Sequence, residues 1–202
     1  MNYVAIDTAN TGLTVIVKKG EKTYSFRDDK CGVRHSIALM PALEELLKKA
    51  GLELKDVDFF AVVVGPGSFT GIRIGVSTVS ALALKLKKPC LKVTSFDTMA
   101  YNIKDSKVLT LIDAKHGGFY ASAYQDLKVI IPPCFISLEE VLKLAKEYRA
   151  VKIEEVSGIE AEKVDPVLGL IYAIEGLKGN LSLDLNEIAP LYIRKSQAEE
   201  GR

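Results

Sequence analysis

The sequence predicts an α/β protein made of two copies of one β-β-β-α-β-α-β-α unit, the second copy eroded. Three observations predict it. Each half opens on an apolar run ending in aspartate, Tyr3 to Asp7 and Lys107 to Asp113. Each such run is followed by two more short strand-like runs joined by tight turns. Segments with apolar residues three and four apart then follow, which is the helical period.

In the first half, Leu13 to Val17 follows the Asn10-Thr11-Gly12 turn, and Thr23 to Phe26 follows Lys19-Gly20-Glu21. Three strands on tight turns make an antiparallel meander. Ser36 to Ala50 changes period, with Ile37, Met40, Leu43, Leu47 and Ala50 on one stripe, and Gly51 is a natural stop. Phe59 to Val64 is continuously apolar, as a strand buried on both faces would be. Thr70 to Lys87 is a second helix, Cys90 to Val93 a strand, and Ser95 to Tyr101 a short helix.

In the second half, Phe119 to Tyr124 and Leu127 to Ile131 complete a second meander. Ser137 to Arg149 is a helix opened by a Ser137/Glu140 capping box. Val151 to Val156 is a strand and Val164 to Gly176 a helix. The boundary falls near Ile103 to Ser106, giving lobes 1–104 and 105–202.

Composition bounds the function. The 202 residues are 48% hydrophobic and 26% charged, the usage of a globular chain. A net charge of +1 excludes gripping nucleic acid through bulk charge. The cysteines, Cys31, Cys90 and Cys134, are few and scattered, so neither a disulfide framework nor a zinc knuckle is expected. No leader is read at the N-terminus, and no uninterrupted apolar run reaches the ~18 residues of a membrane span. A reduced, cytoplasmic protein without membrane contact is expected.

The most informative segment is Val64 to Gly75, carrying Gly65, Pro66, Gly67, Ser68, Phe69, Thr70, Gly71 and Arg73 between a buried strand and a helix. Its glycines allow a tight turn, and Gly71 and Gly75 share a helical face on which another backbone could approach closely. Exposed amides at the helix start could instead receive an anion. The segment is not a P-loop, because no Lys-Ser or Lys-Thr follows. Nor does its glycine spacing fit a dinucleotide fingerprint.

Ser68 reads as a helix N-cap more simply than as a nucleophile, since the chain has only His35 and His116 to serve as base. A helical metal site at His35 would want a second ligand at i+4, and that position is Leu39. His116 reads as a turn histidine. Asp7, Thr8 and Asp113 are weak candidates for holding a metal-bound nucleotide, the alternative being that each aspartate caps its own turn. The small residues of the second helix imply close packing, either on the parent sheet or on another subunit beside Met40, Leu43 and Leu47. Lys85, Lys87, Lys88 and Lys92 form a solvated edge or a basic patch.

Gly-Pro-Gly-Ser-Phe-Thr-Gly-Ile-Arg at 65–73 resembles the hallmark of the TsaB family, formerly YeaZ. Asp7-Thr8, Arg34-His35-Ser36 with Leu39-Met40-Pro41, Asp113-Ala114-Lys115 and Ala189-Pro190-Leu191-Tyr192-Ile193-Arg194 are similar to further family stretches. The resemblance implies an actin-like/hexokinase-like (ASKHA) fold with a reduced second lobe. It implies a non-catalytic subunit, with no cofactor of its own, that supports TsaD in transferring threonylcarbamoyl to adenosine 37 of tRNA. A TsaE ATPase is the further partner, the chain alone forms a homodimer, and tRNA contact is indirect or weak. The implied interface is His35, Leu39, Met40, Leu43, Ile74, Gly75, Thr78 and Leu82. Ala9 departs from the serine usual in the first loop, which weakens ATP binding there. The alternatives are an ATP-dependent phosphotransferase of the same fold and, last, a peptidase.

Overall fold

The structure, a computed structural model, describes residues 1–103, 106–115 and 117–194. The chain forms two compact units, Met1–Thr94 with Ile174–Pro190, and Ser95–Ala173 with the residues from Leu191. The units divide at Thr94/Ser95 rather than at 104/105.

In the first unit, β1 (Tyr3–Asp7), β2 (Leu13–Lys19) and β3 (Lys22–Asp28) form the antiparallel meander. After α1 (His35–Ala50), β4 (Phe59–Val63) joins β1 in parallel. After α2 (Phe69–Leu86), β5 (Cys90–Val93) joins β4 in parallel, so the strand order is β3-β2-β1-β4-β5. Both β1 and β4 are buried along their whole length, which is why their sequences are continuously apolar. Gly51 ends α1 at φ 58°, where its N–H reaches the carbonyls of Leu47 and Lys48.

The second unit repeats this order with β6 (Lys107–Asp113), β7 (Gly118–Gln125), β8 (Lys128–Ser137), β9 (Arg149–Lys152) and β10 (Glu162–Lys163). Its sheet reads β8-β7-β6-β9-β10, with antiparallel and parallel pairings at the equivalent places. Alternate residues of β6 enter two clusters. Val108 packs with Phe96, Met99 and Val151, whereas Leu109 and Leu111 pack with Phe119 and Val141. The short α3 (Ser95–Ala100) supplies Phe96 and Met99 to this core, so it belongs with the second sheet.

The erosion of the second copy is specific. The expected helix over 137–149 is α4 (Leu138–Leu144), because Ala145 to Tyr148 close tight turns and Arg149 enters the sheet beside Val108. The Ser137/Glu140 capping box is present at its start. Residues 153–161 hold no counterpart of α2. The strand expected over 151–156 is four residues at 149–152, and β10 is two. The strand expected over 127–131 is longer, running to Ser137. The last helix, α5 (Pro166–Leu177), starts on Asp165, whose Oδ1 accepts from the amides of Val167 and Leu168 (2.7 and 3.1 Å).

Candidate functional site

The hallmark loop packs against the turn that follows β1. Ser68 N–H donates to the Ala9 carbonyl (2.7 Å), and the Thr8 hydroxyl donates to the Gly71 carbonyl (2.7 Å). A Cβ on Gly67 would run into the Ala9 carbonyl oxygen, and one on Gly71 into that of Thr8. A Cβ on Gly75 would meet the Thr8 hydroxyl. The glycines therefore let the start of α2 lie directly on the β1 turn, as the structural reading of the motif expected. Ser68 caps α2 by accepting from Gly71 N–H (3.2 Å), so its hydroxyl serves the backbone. The Gly65–Pro66 peptide is cis.

Asp7 is fully buried under this contact. Its Oδ1 accepts from Ala9 N–H (2.8 Å) and its Oδ2 from the Asn10 amide (2.9 Å). The carboxylate thus organises its own turn. In the second unit Asp113 does the same less completely. It accepts from Lys115 N–H at 2.7 Å, with Lys115 Nζ at 3.8 Å. His116 lies outside the described residues. Among them, no group of three or more His, Cys, Asp or Glu is placed to hold a metal ion. Cys31, Cys90 and Cys134 are free thiols, the first two buried, and burial pushes the Cys90 thiol up to about 11.

Between α1 and α2 runs an open groove of about 490 Å³. Leu39, Met40, Ile74 and Thr78 line it, as do Ser36 and Ser77, which the implied interface did not include. The implied interface residues separate here. His35, Leu43 and Gly75 are buried inside the unit and do not line the groove, and His35 Nε2 has no hydrogen-bond partner among the described residues. Leu39 is 1% exposed yet floors the groove. Met40 is 38% exposed, with Ile74, Thr78 and Leu82 half-buried along α2. Ile37, placed by its spacing on the packed stripe of α1, is instead 74% exposed. The stripe that meets the sheet is Leu39, Ala42, Leu43, Leu46, Leu47 and Ala50.

Helix α2 is not an uninterrupted apolar run, since Arg73 and Lys85 fall within it, yet by length and mean composition alone it is long and apolar enough to cross a membrane. Here its Gly71, Ile72, Gly75, Val76, Val79 and Ala83 are buried, and Gly75 lies over Ile6 and Val62 of the sheet.

Two sheets of identical order and pairing, each opening on a β1-type strand that ends in a turn-forming aspartate, define the duplicated actin-like fold. A sequence model of the family described as TsaD, tRNA N6-adenosine threonylcarbamoyltransferase, matches residues 29–189. The tRNA threonylcarbamoyladenosine biosynthesis protein TsaB of Bacillus subtilis (strain 168) is 31% identical over 153 residues, which is 73% of this chain and 67% of that protein. TsaB of Escherichia coli (strain K12) is 33% identical over 129 residues, 62% of this chain and 55% of that protein. The aligned stretch thus spans from little more than half to two thirds of these relatives. The solved structure of YeaZ from Pseudomonas aeruginosa has the same fold, with a TM-score of 0.77 at 22% identity over 95% of this chain and 99% of that one. The chain belongs to the TsaD family and, within it, to the TsaB (YeaZ) group.

Proposed function

We propose that the chain is a partner subunit that performs no chemistry of its own. It supports a TsaD-type transferase in placing threonylcarbamoyl on adenosine 37 of tRNA. The observation that carries this reading is the groove between α1 and α2, where Leu39, Met40 and Ile74 present apolar surface. Exposed Ile37 and Leu84 extend that surface on the same two helices. The hallmark glycines are taken up by packing on the β1 turn, and the Asp7 oxygens by Ala9 and Asn10. Those residues therefore support a structural rather than a nucleotide-binding role. The relatives' names supply the pathway.

In this reading α1 and α2 pack on equivalent helices of the transferase, and on a second copy of the chain when the transferase is absent. A TsaE-type ATPase binds elsewhere, and the complex works in the cytoplasm. The test is reconstitution of threonylcarbamoyl transfer to tRNA with and without the chain, beside ATP turnover by the chain alone. Transfer that needs an otherwise inert chain is the expected result. ATP turnover by the isolated chain, with transfer unaffected by its omission, establishes the phosphotransferase reading instead.

A further inference from the structure

A second cavity, of about 300 Å³, lies in the first unit on the other face of the sheet from α2. Strand register builds its floor. Tyr3 pairs with Lys18 on β2 and with Phe59 on β4, so the three side chains share one face. Ile6 and Val62, of opposite parity, face α2. The Tyr3 and Phe59 rings stand 5.1 Å apart, and Lys18 Nζ lies 5.8 Å from the Tyr3 ring centre. The end of α5, through Ile174 and Glu175, and Lys178 in the turn that follows it form the opposite wall.

Two features of this cavity suit it to an anionic ligand. Tyr3 is 2% exposed, and its hydroxyl has no hydrogen-bond partner among the described residues. Burial first, and the Glu175 carboxylate second, push the phenol well above its ordinary value, so the group is a protonated donor without an acceptor. Beside it, one carboxylate serves two ammonium groups: Glu175 accepts from Lys18 at 2.6 Å and from Lys178 at 3.0 Å. That trio carries one excess positive charge and spare N–H donors on both lysines. At the rim, the exposed Glu21 adds a negative charge.

We propose that this cavity binds a small organic carboxylate. The ligand's oxygens sit between Lys18 and Lys178 and accept from the Tyr3 hydroxyl, which completes an alternating ring of charges with Glu175. The volume suits a compact metabolite. Glu21 disfavours dianions and offers a place for an α-ammonium group. The site lies away from the groove between α1 and α2 and does not depend on the subunit role.

The full chain would be titrated with lactate, glycine, inorganic phosphate and chloride, following the ring resonances of Phe59, which lines the cavity and is kept in every variant. Lactate or glycine is expected to give a saturable shift in the millimolar range, with phosphate weaker and chloride without effect. Lys178→Met and Tyr3→Phe should each weaken that binding at least about tenfold, since each removes a donor to a charged acceptor. Tyr3→Phe removes an unsatisfied hydroxyl, so without ligand its unfolding midpoint should be unchanged or higher. Three results would each overturn the proposal: no saturable shift with lactate or glycine, phosphate binding in preference to both, or a shift that survives both substitutions.

Discussion

Thr8 and Gly71 are joined in two ways at one point. The Thr8 hydroxyl donates to the Gly71 carbonyl at 2.7 Å, and the Thr8 carbonyl occupies the space a Gly71 side chain would need. The first turn of the fold and the first turn of α2 are therefore a single packed unit. This is the physical content of the hallmark motif.

Gly71→Ala is accordingly expected to destabilise the chain by about 1–3 kcal/mol or more, since the neighbour it meets is backbone and cannot rotate away. Gly179→Ala, with no atom within 4 Å of the new methyl, should stay within about 0.5 kcal/mol of the parent. Urea midpoints of the two variants, compared at equal slope, check the contrast.

Ser68→Ala removes the cap of α2 and should lower stability by about 1 kcal/mol. In reconstituted transfer the stably folded variant should remain active. A large loss of activity without loss of stability would assign Ser68 a chemical role after all.

Asp7→Asn leaves the buried turn with a donor where Asn10 now finds an acceptor. An expected loss of about 1–3 kcal/mol follows from the unsatisfied groups. Calorimetry with ATP should give the same null titration for parent and variant. ATP binding by the parent that vanishes in the variant would contradict the turn-forming role.

Glu175 gives a pH signature. The hydrogen bond from Lys18 holds its carboxyl below the ordinary 4.5, with Lys178 adding to this and burial opposing it. A carboxyl depressed in the folded state stabilises above the unfolded value, and that contribution is lost as pH falls through the folded value. Stability should therefore fall as pH drops below 4.5, and Glu175→Gln should flatten that fall. Denaturant midpoints across the acid range, parent against variant, measure it.

Most of the first unit was legible because its signals are local. Continuous apolar runs gave β1 and β4, glycine turns gave the meander, and three-four spacing gave α1 and α2. The second unit was read less well, because its later elements depend on partners distant in sequence. Glu162 and Lys163 form a strand only by lying beside Val151 and Lys152, and nothing apolar marks them. Arg149 leaves the helical pattern because β6 offers it an edge. The return of residues 174–190 to the first unit, seen in the Cys90 and Ser182 pairing, is likewise tertiary.

On α1 the period left the packed stripe one residue uncertain. Leu39 proved buried and Met40 exposed, whereas spacing alone had put Ile37 and Met40 inside. The cavity beside α5 was not legible in the sequence because Tyr3 and Lys18 meet through strand register and Glu175 reaches Lys18 from 157 residues away.

The groove between α1 and α2 carries the central claim, and Met40→Glu with Ile74→Asp tests it most directly. Both side chains reach the groove from positions that are not fully buried, so the charges leave the core intact. In reconstituted threonylcarbamoyl transfer to tRNA, the folded double variant should behave as though the chain had been left out. In sedimentation the parent is expected to run as a dimer and the double variant as a monomer. Full support of transfer by that variant would contradict the account.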